Sequence, residues 1–375
     1  MKKLGFGCMR LPLRDADVQK DVDMGQVCQM VDTFLQRGFT YFDTAYMYHD
    51  YESERVVREA LVKRHARGSF TLATKMPMRL LNAAEEQPRI FDEQLEKCGV
   101  DYFDYYLLHA LSADNYKKAC EMDTFGFLAE KKAQGKIRNL GFSFHDTAAV
   151  LDEILTAHPE VDFVQLQLNY LDWDSESIQS RKCYETAQKH GKPVVVMEPV
   201  KGGKLAQVPP EVEALLRAAH PDWSPASWAV RFAASLEGVM VVLSGMSNMQ
   251  QMLDNTATME AFQPLTPADQ AVIRQAAALL SQGQAVPCTA CRYCVEGCPR
   301  HIPIPEYFAL YNAEKKMAQP SPGDRLSNQQ MYYANYVNGR GKASDCIACG
   351  QCERACPQHI EIIRWLKEVA KTFEV

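Results

Sequence analysis

The chain has 375 residues, 47% hydrophobic and 23% charged, with a net charge of −6, which is the balance of a globular protein rather than a disordered one. That length exceeds one domain of ordinary size but suits a barrel of about 250 residues with a small module attached. The acidic balance offers no basic footprint for nucleic acid, and no apolar run approaches the ~20 residues of a membrane helix.

The opening MKKLGFGCMRLPL breaks its apolar stretch at Arg10, so it does not read as a cleavable leader, and a reducing, cytoplasmic setting is expected. From there short β-rich runs alternate with longer helical stretches. In order they are LGFG at 4–7, TYFDTA, FTLATK, YFDYYLLH, RNLGFSF, FVQLQLN, PVVVMEP and VMVVLSG. Intervening segments such as 24–37 and 52–64 carry helical periodicity with polar faces. Eight β-then-α units predict an α/β chain with a closed parallel (β/α)8 barrel. Thr266, Pro267 and Asp269 then read as a helix start, with threonine as N-cap, proline at the first helical position and a carboxylate completing the cap. The expected division is a barrel over 1–262, a linker helix over 263–284, and a small, mainly α-helical domain over 285–375 with helices near 304–317 and 328–337.

The last part holds the strongest motif. Cys288, Cys291, Cys294 and Cys298 fall at CxxCxxCxxxC spacing with Pro299 next, and Cys346, Cys349, Cys352 and Cys356 repeat it before Pro357. The repeat runs past the cysteines, since CPRHIPI and CPQHIEI agree at all but two positions, an internal duplication. Disulfides would want an oxidising compartment, and zinc sites usually space their CxxC pairs farther apart. The spacing resembles that of bacterial two-cluster ferredoxins, here of the α-helical type, and implies two 4Fe–4S clusters. In such ferredoxins each run lends its fourth cysteine to the other cluster. The resemblance therefore assigns Cys288, Cys291, Cys294 and Cys356 to one cluster, and Cys346, Cys349, Cys352 and Cys298 to the other. Cys8, Cys28, Cys98, Cys120 and Cys183 are scattered singly and read as small buried residues.

In parallel barrels the residues at the carboxyl ends of the strands build the site. Four polar residues stand there: Asp43 and Tyr48 in DTAYMY, Lys75 closing FTLATK, and His109 closing YYLLH. Each alone has a packing explanation, Tyr48 standing among Tyr41, Tyr46 and Tyr51. Together, in this order, they resemble the tetrad of the aldo/keto reductase family, as do GFGCMR near the start, GKIRNLGFS at 135–143, and LSGMSN with Asn255. The resemblance spans 1–262. It implies that Tyr48 is the general acid that protonates a substrate carbonyl oxygen as hydride reaches the carbon. A phenol needs to fall about three units from a pKa of about 10 to act near neutrality, or about 4 kcal/mol. One lysine charge at about 4 Å is worth a similar amount at an effective dielectric of about 20. Lys75 is accordingly expected to lower Tyr48, Asp43 to hold Lys75 charged, and His109 to donate a hydrogen bond to the substrate oxygen.

The resemblance also implies a nicotinamide cofactor, with Ser143 and Gln165 on its carboxamide and Met197 where many members stack an aromatic ring. Many members clamp the 2′-phosphate of NADP with a lysine and an arginine after the eighth strand. Gly245 and Gln251 occupy those places, and no basic residue lies between Arg231 and Arg274. NAD(P) is therefore expected without an Arg or Lys clamp from this segment, leaving Ser247, Asn248, Gln251 and Asn255 to recognise it. KGGK at 201–204 suits a phosphate loop as well as a turn with solvated lysines. A flavin or a phosphorylated substrate are alternative occupants. Arg10, at the barrel mouth, suits an anionic substrate group or a structural salt bridge.

Nicotinamide moves electrons in pairs and each cluster moves them singly, so three readings follow. In the first, the clusters transfer electrons to or from a carbonyl/alcohol site served by Tyr48, with an external carrier such as a ferredoxin as partner alongside the small-molecule substrate. In the second, a conventional NAD(P)H-dependent carbonyl reductase carries a structural or redox-sensing cluster domain. In the third, the barrel is the scaffold of a non-catalytic electron-transfer adaptor.

Overall fold

The computed structural model describes residues 2–15, 18–175, 178–281, 285–286, 288, 290, 292–315, 327–356 and 359–374. Eight parallel strands close into a barrel in chain order: β1 Leu4–Gly7, β2 Tyr41–Asp43, β3 Thr71–Met76, β4 Phe103–Leu111, β5 Ile137–Phe144, β6 Phe163–Gln167, β7 Val194–Met197 and β8 Val239–Ser244. The ring shuts where Leu4 of β1 meets Val242 of β8.

Strand alternation sorts the side chains. Tyr41, Ala73, Leu107, Phe163, Val195, Val241 and Leu243 form one apolar cluster, the plug inside the barrel. The plug needs two glycines. A Cβ at Gly5 would lie 2.7 Å from both Val241 and Leu243, and one at Gly141 would lie 2.6 Å from the Phe163 ring. The opposite faces pack outward on the helices, as Phe6, Phe42, Leu72, Tyr106 and Phe142 do in the main core.

The helices follow the local signals. Asp23 caps Met24–Gln36 by accepting from Gln26 N at 3.0 Å. The segment expected as one helix over 52–64 is α-helical at Ser53–Val57 and continues as a π-turn over Arg58–Val62. Thr266 N and Oγ1 donate to Asp269 at 2.9 and 2.7 Å while Asp269 N donates back to Thr266 Oγ1 at 3.2 Å, so the helix Pro267–Ser281 starts on the reciprocal cap read from the sequence. That helix buries Ile273, Ala276 and Leu280 against Leu205, Val212, Leu216 and Trp228.

Contacts divide the chain into two units, 1–173 with 180–280, and 174–179 with 281–375. The second has its own core of Ile302, Tyr307, Phe308, Leu310, Tyr332, Tyr333 and Leu366. Its helices include Ile304–Lys315 and Asn328–Tyr336, the latter opened by a capping box of Ser327 and Gln330. The duplication recurs in the backbone. Ala290 and Ala348, 58 residues apart, both have φ of 55°; Arg292 and Gly350 have 67° and 73°, and His301 and His359 have 52° and 50°. The amides of His301 and His359 donate to Cys298 and Cys356 carbonyls at 3.0 and 3.1 Å. Among the described residues no helix is long and apolar enough to cross a membrane.

Candidate active site

The site residues of the barrel are set by the alternation that builds the plug. Asp43, Lys75, His109, Ser143, Gln165 and Met197 each stand two positions beyond Tyr41, Ala73, Leu107, Gly141, Phe163 and Val195. Two positions along a strand return to the same face, so six of the expected residues rise one step above the apolar floor, toward the carboxyl end. Tyr48 arrives from the loop after β2.

Lys75 is 1% exposed and donates to Asp43 Oδ1 at 2.6 Å and to the Thr44 carbonyl at 2.7 Å. Its Nζ lies 5.1 Å from the Tyr48 ring centroid, and the Tyr48 and His109 rings meet edge to face at 6.0 Å. Behind β3, Gln94 Nε2 donates to the Lys75 carbonyl at 3.1 Å and to Glu54 Oε1 at 2.7 Å, and burial raises that glutamate to about 7. Burial alone would lower Lys75, but Asp43 and Tyr48 hold it above its ordinary value, so it is a cation at neutral pH.

Lys75 acts on Tyr48 in the expected direction but does not prevail. Burial is the largest influence on the Tyr48 phenol and raises it; Lys75 pulls it down, and Asp43 pushes it back up. The lysine's charge is shared with a carboxylate at contact distance, so its pull does not reach the several kcal/mol worked out for an isolated cation. Tyr48 is thus held above the ordinary phenol value, with its hydroxyl protonated at neutral pH. Burial drives His109 well below its ordinary value, helped by Lys75, His145 and Arg79, so its imidazole is neutral and keeps one N–H to donate.

His109 sits where β4 departs from regular pairing, between Leu108 and Leu111, with Ala110 left-handed at φ 55°. Ser143 Oγ accepts from Ala110 N at 2.7 Å and Asn115 Nδ2 donates to Ala110 O at 2.7 Å, so two side chains fix the bulge. Ser143 therefore keeps its own O–H to donate. Gln165 Nε2 meets Met197 Sδ at 3.7 Å, while its Oε1 is buried without a partner. A free hydroxyl donor beside an orphaned amide acceptor matches a carboxamide, which offers one carbonyl and one NH2. The residues present fit a nicotinamide.

The segment after β8 is organised differently from expectation. Asn248 Oδ1 accepts from Gln251 N at 2.9 Å and Gln251 Oε1 accepts from Ser247 N at 2.7 Å, so these side chains cap the helix Met249–Glu260. Ser247 Oγ donates to the Arg10 carbonyl at 3.0 Å, and buried Asn255 donates to Ser244 Oγ at 2.9 Å, fixing the end of β8. Gly245 faces the Arg10 side chain, which a Cβ there would approach to 3.1 Å. Arg10 pairs with Glu198 at 3.9 Å, the structural alternative read for it. KGGK is not a turn of solvated lysines, because Lys201 is 4% exposed and ion-paired with buried Asp172. Gln167 and Asn169 also donate to Asp172, at 3.0 and 2.8 Å; against burial, which raises it, Lys201 first and then these two amides hold its carboxyl below the usual range. Sequence reading missed this cluster; the signal was a lone aspartate within LNYLDW.

In the second unit all the described cysteines are free. Cys294, Cys352 and Cys356 are buried in its core, Cys288, Cys298 and Cys346 are half-buried, and Cys349 is exposed; Cys291 lies outside the described residues. Cys352 is pushed up to about 11, first by burial and then by charges that include Cys346 and Cys298. The last cysteine of the first run thus lies near enough to Cys352 of the second to act on it. Left-handed residues flank the turns, and Ala290 N points at Cys288 Sγ at 3.5 Å. Among the described residues no three His, Cys, Asp or Glu side chains gather tightly enough to hold a single metal ion. A cubane holds its thiolates farther apart than one ion does and takes its corners from separate stretches of chain, so the free cysteines and the Ala290 amide at Cys288 Sγ fit a cluster. Of the five scattered cysteines, Cys8, Cys98 and Cys183 are buried, whereas Cys28 is half-buried and Cys120 is exposed, contrary to expectation.

Comparison with known proteins places both parts. Residues 3–278 match the sequence profile of the aldo/keto reductase family, and residues 287–361 match that of a 4Fe-4S dicluster domain. An aldo-keto reductase of Mycolicibacterium smegmatis is 29% identical over 142 residues, covering 38% of this chain and 45% of that protein. An NADH-specific methylglyoxal reductase of Escherichia coli is 25% identical over 228 residues, covering 55% and 65%. The matched stretch spans less than two thirds of either relative's length. Among solved structures, the holo form of aldo-keto reductase AKR11C1 from Bacillus halodurans shows 26% identity and a TM-score of 0.57, over 73% of this chain and 91% of that one.

Proposed function

Because the chain belongs to the aldo/keto reductase family and carries a 4Fe-4S dicluster domain, we propose that it interconverts a small carbonyl compound and its alcohol, with Tyr48 moving the proton. The observation that carries this reading is Tyr48 beside the buried Lys75–Asp43 pair, its ring edge to face with that of His109. In the reducing direction the Tyr48 hydroxyl gives its proton to the carbonyl oxygen as hydride adds to the carbon. Lys75 stabilises the phenolate that remains, and His109 holds the same oxygen through an N–H. Ser143 and Gln165 would orient a nicotinamide, which supplies the hydride when bound. NADH is favoured over NADPH by the lack of a basic residue between Arg231 and Arg274, in keeping with the NADH specificity of the Escherichia coli relative. Nothing in the family match or the site supports a flavin.

Cys288, Cys291, Cys294 and Cys356 would hold one cluster and Cys346, Cys349, Cys352 and Cys298 the other, and bound clusters supply single-electron transfer. The reading therefore includes electron exchange between the cluster domain and the carbonyl reaction. The test is an anaerobic EPR titration of the clusters during turnover with NAD(P)H and carbonyl compounds. Cluster signals that track substrate are expected. Clusters indifferent to turnover would leave a conventional reductase with a structural cluster domain, and turnover indifferent to Tyr48→Phe would remove the catalytic reading.

A further inference from the structure

Three strand ends in succession bring an unusual set of groups to one side of the site. His109 ends β4, and His145 follows β5 directly, its amide bonded to the Leu111 carbonyl at 2.9 Å. Arg79 stands three residues past β3, in a turn closed by Met78 N to Met76 O at 2.9 Å and Leu80 N to Pro77 O at 2.8 Å. Fully buried Met78 and Leu81 anchor the turn on either side. Arg79 is therefore held on a short, fixed loop directly above Lys75's own strand.

Several arginines of the barrel have a carboxylate partner. Arg10, Arg37, Arg64 and Arg67 are each ion-paired with a carboxylate. Among the described residues Arg79 has none within 4.0 Å. Its side chain is open to solvent yet crowded enough that burial lowers its pKa, as in a recess. Its charge reaches inward, since it lowers His109 and, after burial, is the cause that takes His145 to about 3. The nearby carboxylates are committed elsewhere: Asp43 to Lys75, and Asp146 to the amides of Ala113 and Thr147. A cation with no carboxylate within 4.0 Å among the described residues thus stands on the strand-end rim that also carries Lys75, His109 and His145.

We propose that Arg79 is a carboxylate clamp, and that the substrate is a small carbonyl compound carrying a carboxylate a few bonds from the reacting carbon. A guanidinium fork pairs with a carboxylate through two parallel hydrogen bonds and so fixes orientation as well as affinity. A single unpaired cation matches a singly charged acid better than a phosphoryl group, which would bring a second negative charge with no partner. Neutral His109 and His145 add no cation of their own beside the anion, so the pairing falls to Arg79. This inference rests on the carbonyl reading of Tyr48 and adds the substrate class.

The experiment uses the full chain, purified anaerobically, with phenylglyoxylate and its methyl ester as paired probes. Turnover is measured with NADH and NADPH, and binding of each probe is measured by calorimetry in the presence of oxidised nicotinamide. Wild type is expected to prefer the acid. Arg79→Met is expected to lower the acid-over-ester ratio of kcat/KM, and of affinity, by about 10- to 100-fold. Arg79→Lys, which keeps the charge and loses the fork, falls between. Wild type that binds the acid no better than the ester, or a ratio that Arg79→Met leaves unchanged, overturns the proposal. Binding is read without turnover, so Tyr48→Phe that fails to slow reduction removes the catalytic reading and leaves the Arg79 result standing.

Discussion

Replacing Lys75 with methionine separates what the buried lysine does for the fold from what it does for the reaction. Methionine keeps much of the aliphatic stem but removes the cation that Asp43 meets at 2.6 Å. Asp43 Oδ2 already lacks a partner, so the variant leaves both oxygens unpaired in a residue 2% exposed. Removing one member of a buried ion pair costs about 3–5 kcal/mol, which corresponds to a fall of roughly 6–20 °C in the thermal midpoint of the barrel. The loss depends on pH with a definite sign. Burial raises Asp43, more so without Lys75, so the folded variant retains a proton that the unfolded chain has released. Asp43 is itself raised in wild type, so the pH-dependent part of the deficit opens above the wild-type folded value and grows by about 1.4 kcal/mol per unit until the folded pKa of the variant is reached. Adding Asp43→Asn removes the orphaned charge and recovers most of the stability. Reduction stays slower by about 10²- to 10⁴-fold, because the Tyr48 phenolate still lacks its cation. Thermal midpoints by circular dichroism from pH 5 to 8, with single-turnover reduction of a carbonyl probe, read both effects. A double variant as unstable as the single one, or one that regains turnover, refutes the reasoning.

Tyr48→Phe is expected to keep the fold and slow carbonyl reduction by about 10²- to 10⁴-fold, as measured by initial rates against circular dichroism. Since Tyr48 is raised and His109 lowered, neither titrates near neutrality, and kcat for reduction should be flat from about pH 6 to 9; a limb near 6.5 would show a histidine that ionises. Ser143→Ala leaves the Ala110 amide in the β4 bulge without its acceptor, with an expected cost of about 1–3 kcal/mol by thermal melt and a raised KM for the nicotinamide. Cys298→Ala and Cys352→Ala should each reduce iron from about eight to about four per chain, and together still leave about four, because both serve one cluster. Near-complete iron loss in the combined variant would show that they serve different ones.

Much of the barrel was legible because one rule, two-residue alternation on short buried strands, both fills the plug and lifts Asp43, Lys75 and His109 above it. The tuning of Tyr48 was not legible. It depends on how far Asp43, distant in sequence from Lys75, absorbs that lysine's field, and on burial that only the closed ring creates. The Lys201–Asp172 pair was missed for a similar reason, since a glycine-rich stretch with two lysines looks solvated until another loop brings a carboxylate beneath it. Asn248 and Gln251 carry a second signal that was not read. An asparagine followed three residues later by glutamine before a helix is a capping signature in its own right. The cap stands beside the cofactor contact expected of the same residues. The cysteine runs were legible as a repeat, but the left-handed backbone at Ala290 and Ala348 was not, because alanine gives no sign of it.

The 58-residue repetition of backbone turns has a bearing on the order of synthesis. With the fourth cysteine of each run serving the other, one iron site would lack a ligand until Cys352 has been made and the other until Cys356, seconds after Cys288 at ordinary elongation rates. All eight barrel strands have been made by then and are free to close. Metal loading would thus follow synthesis of the barrel, and a shortage of iron or sulfide would leave a finished barrel joined to an uncharged domain rather than a chain that fails from its start.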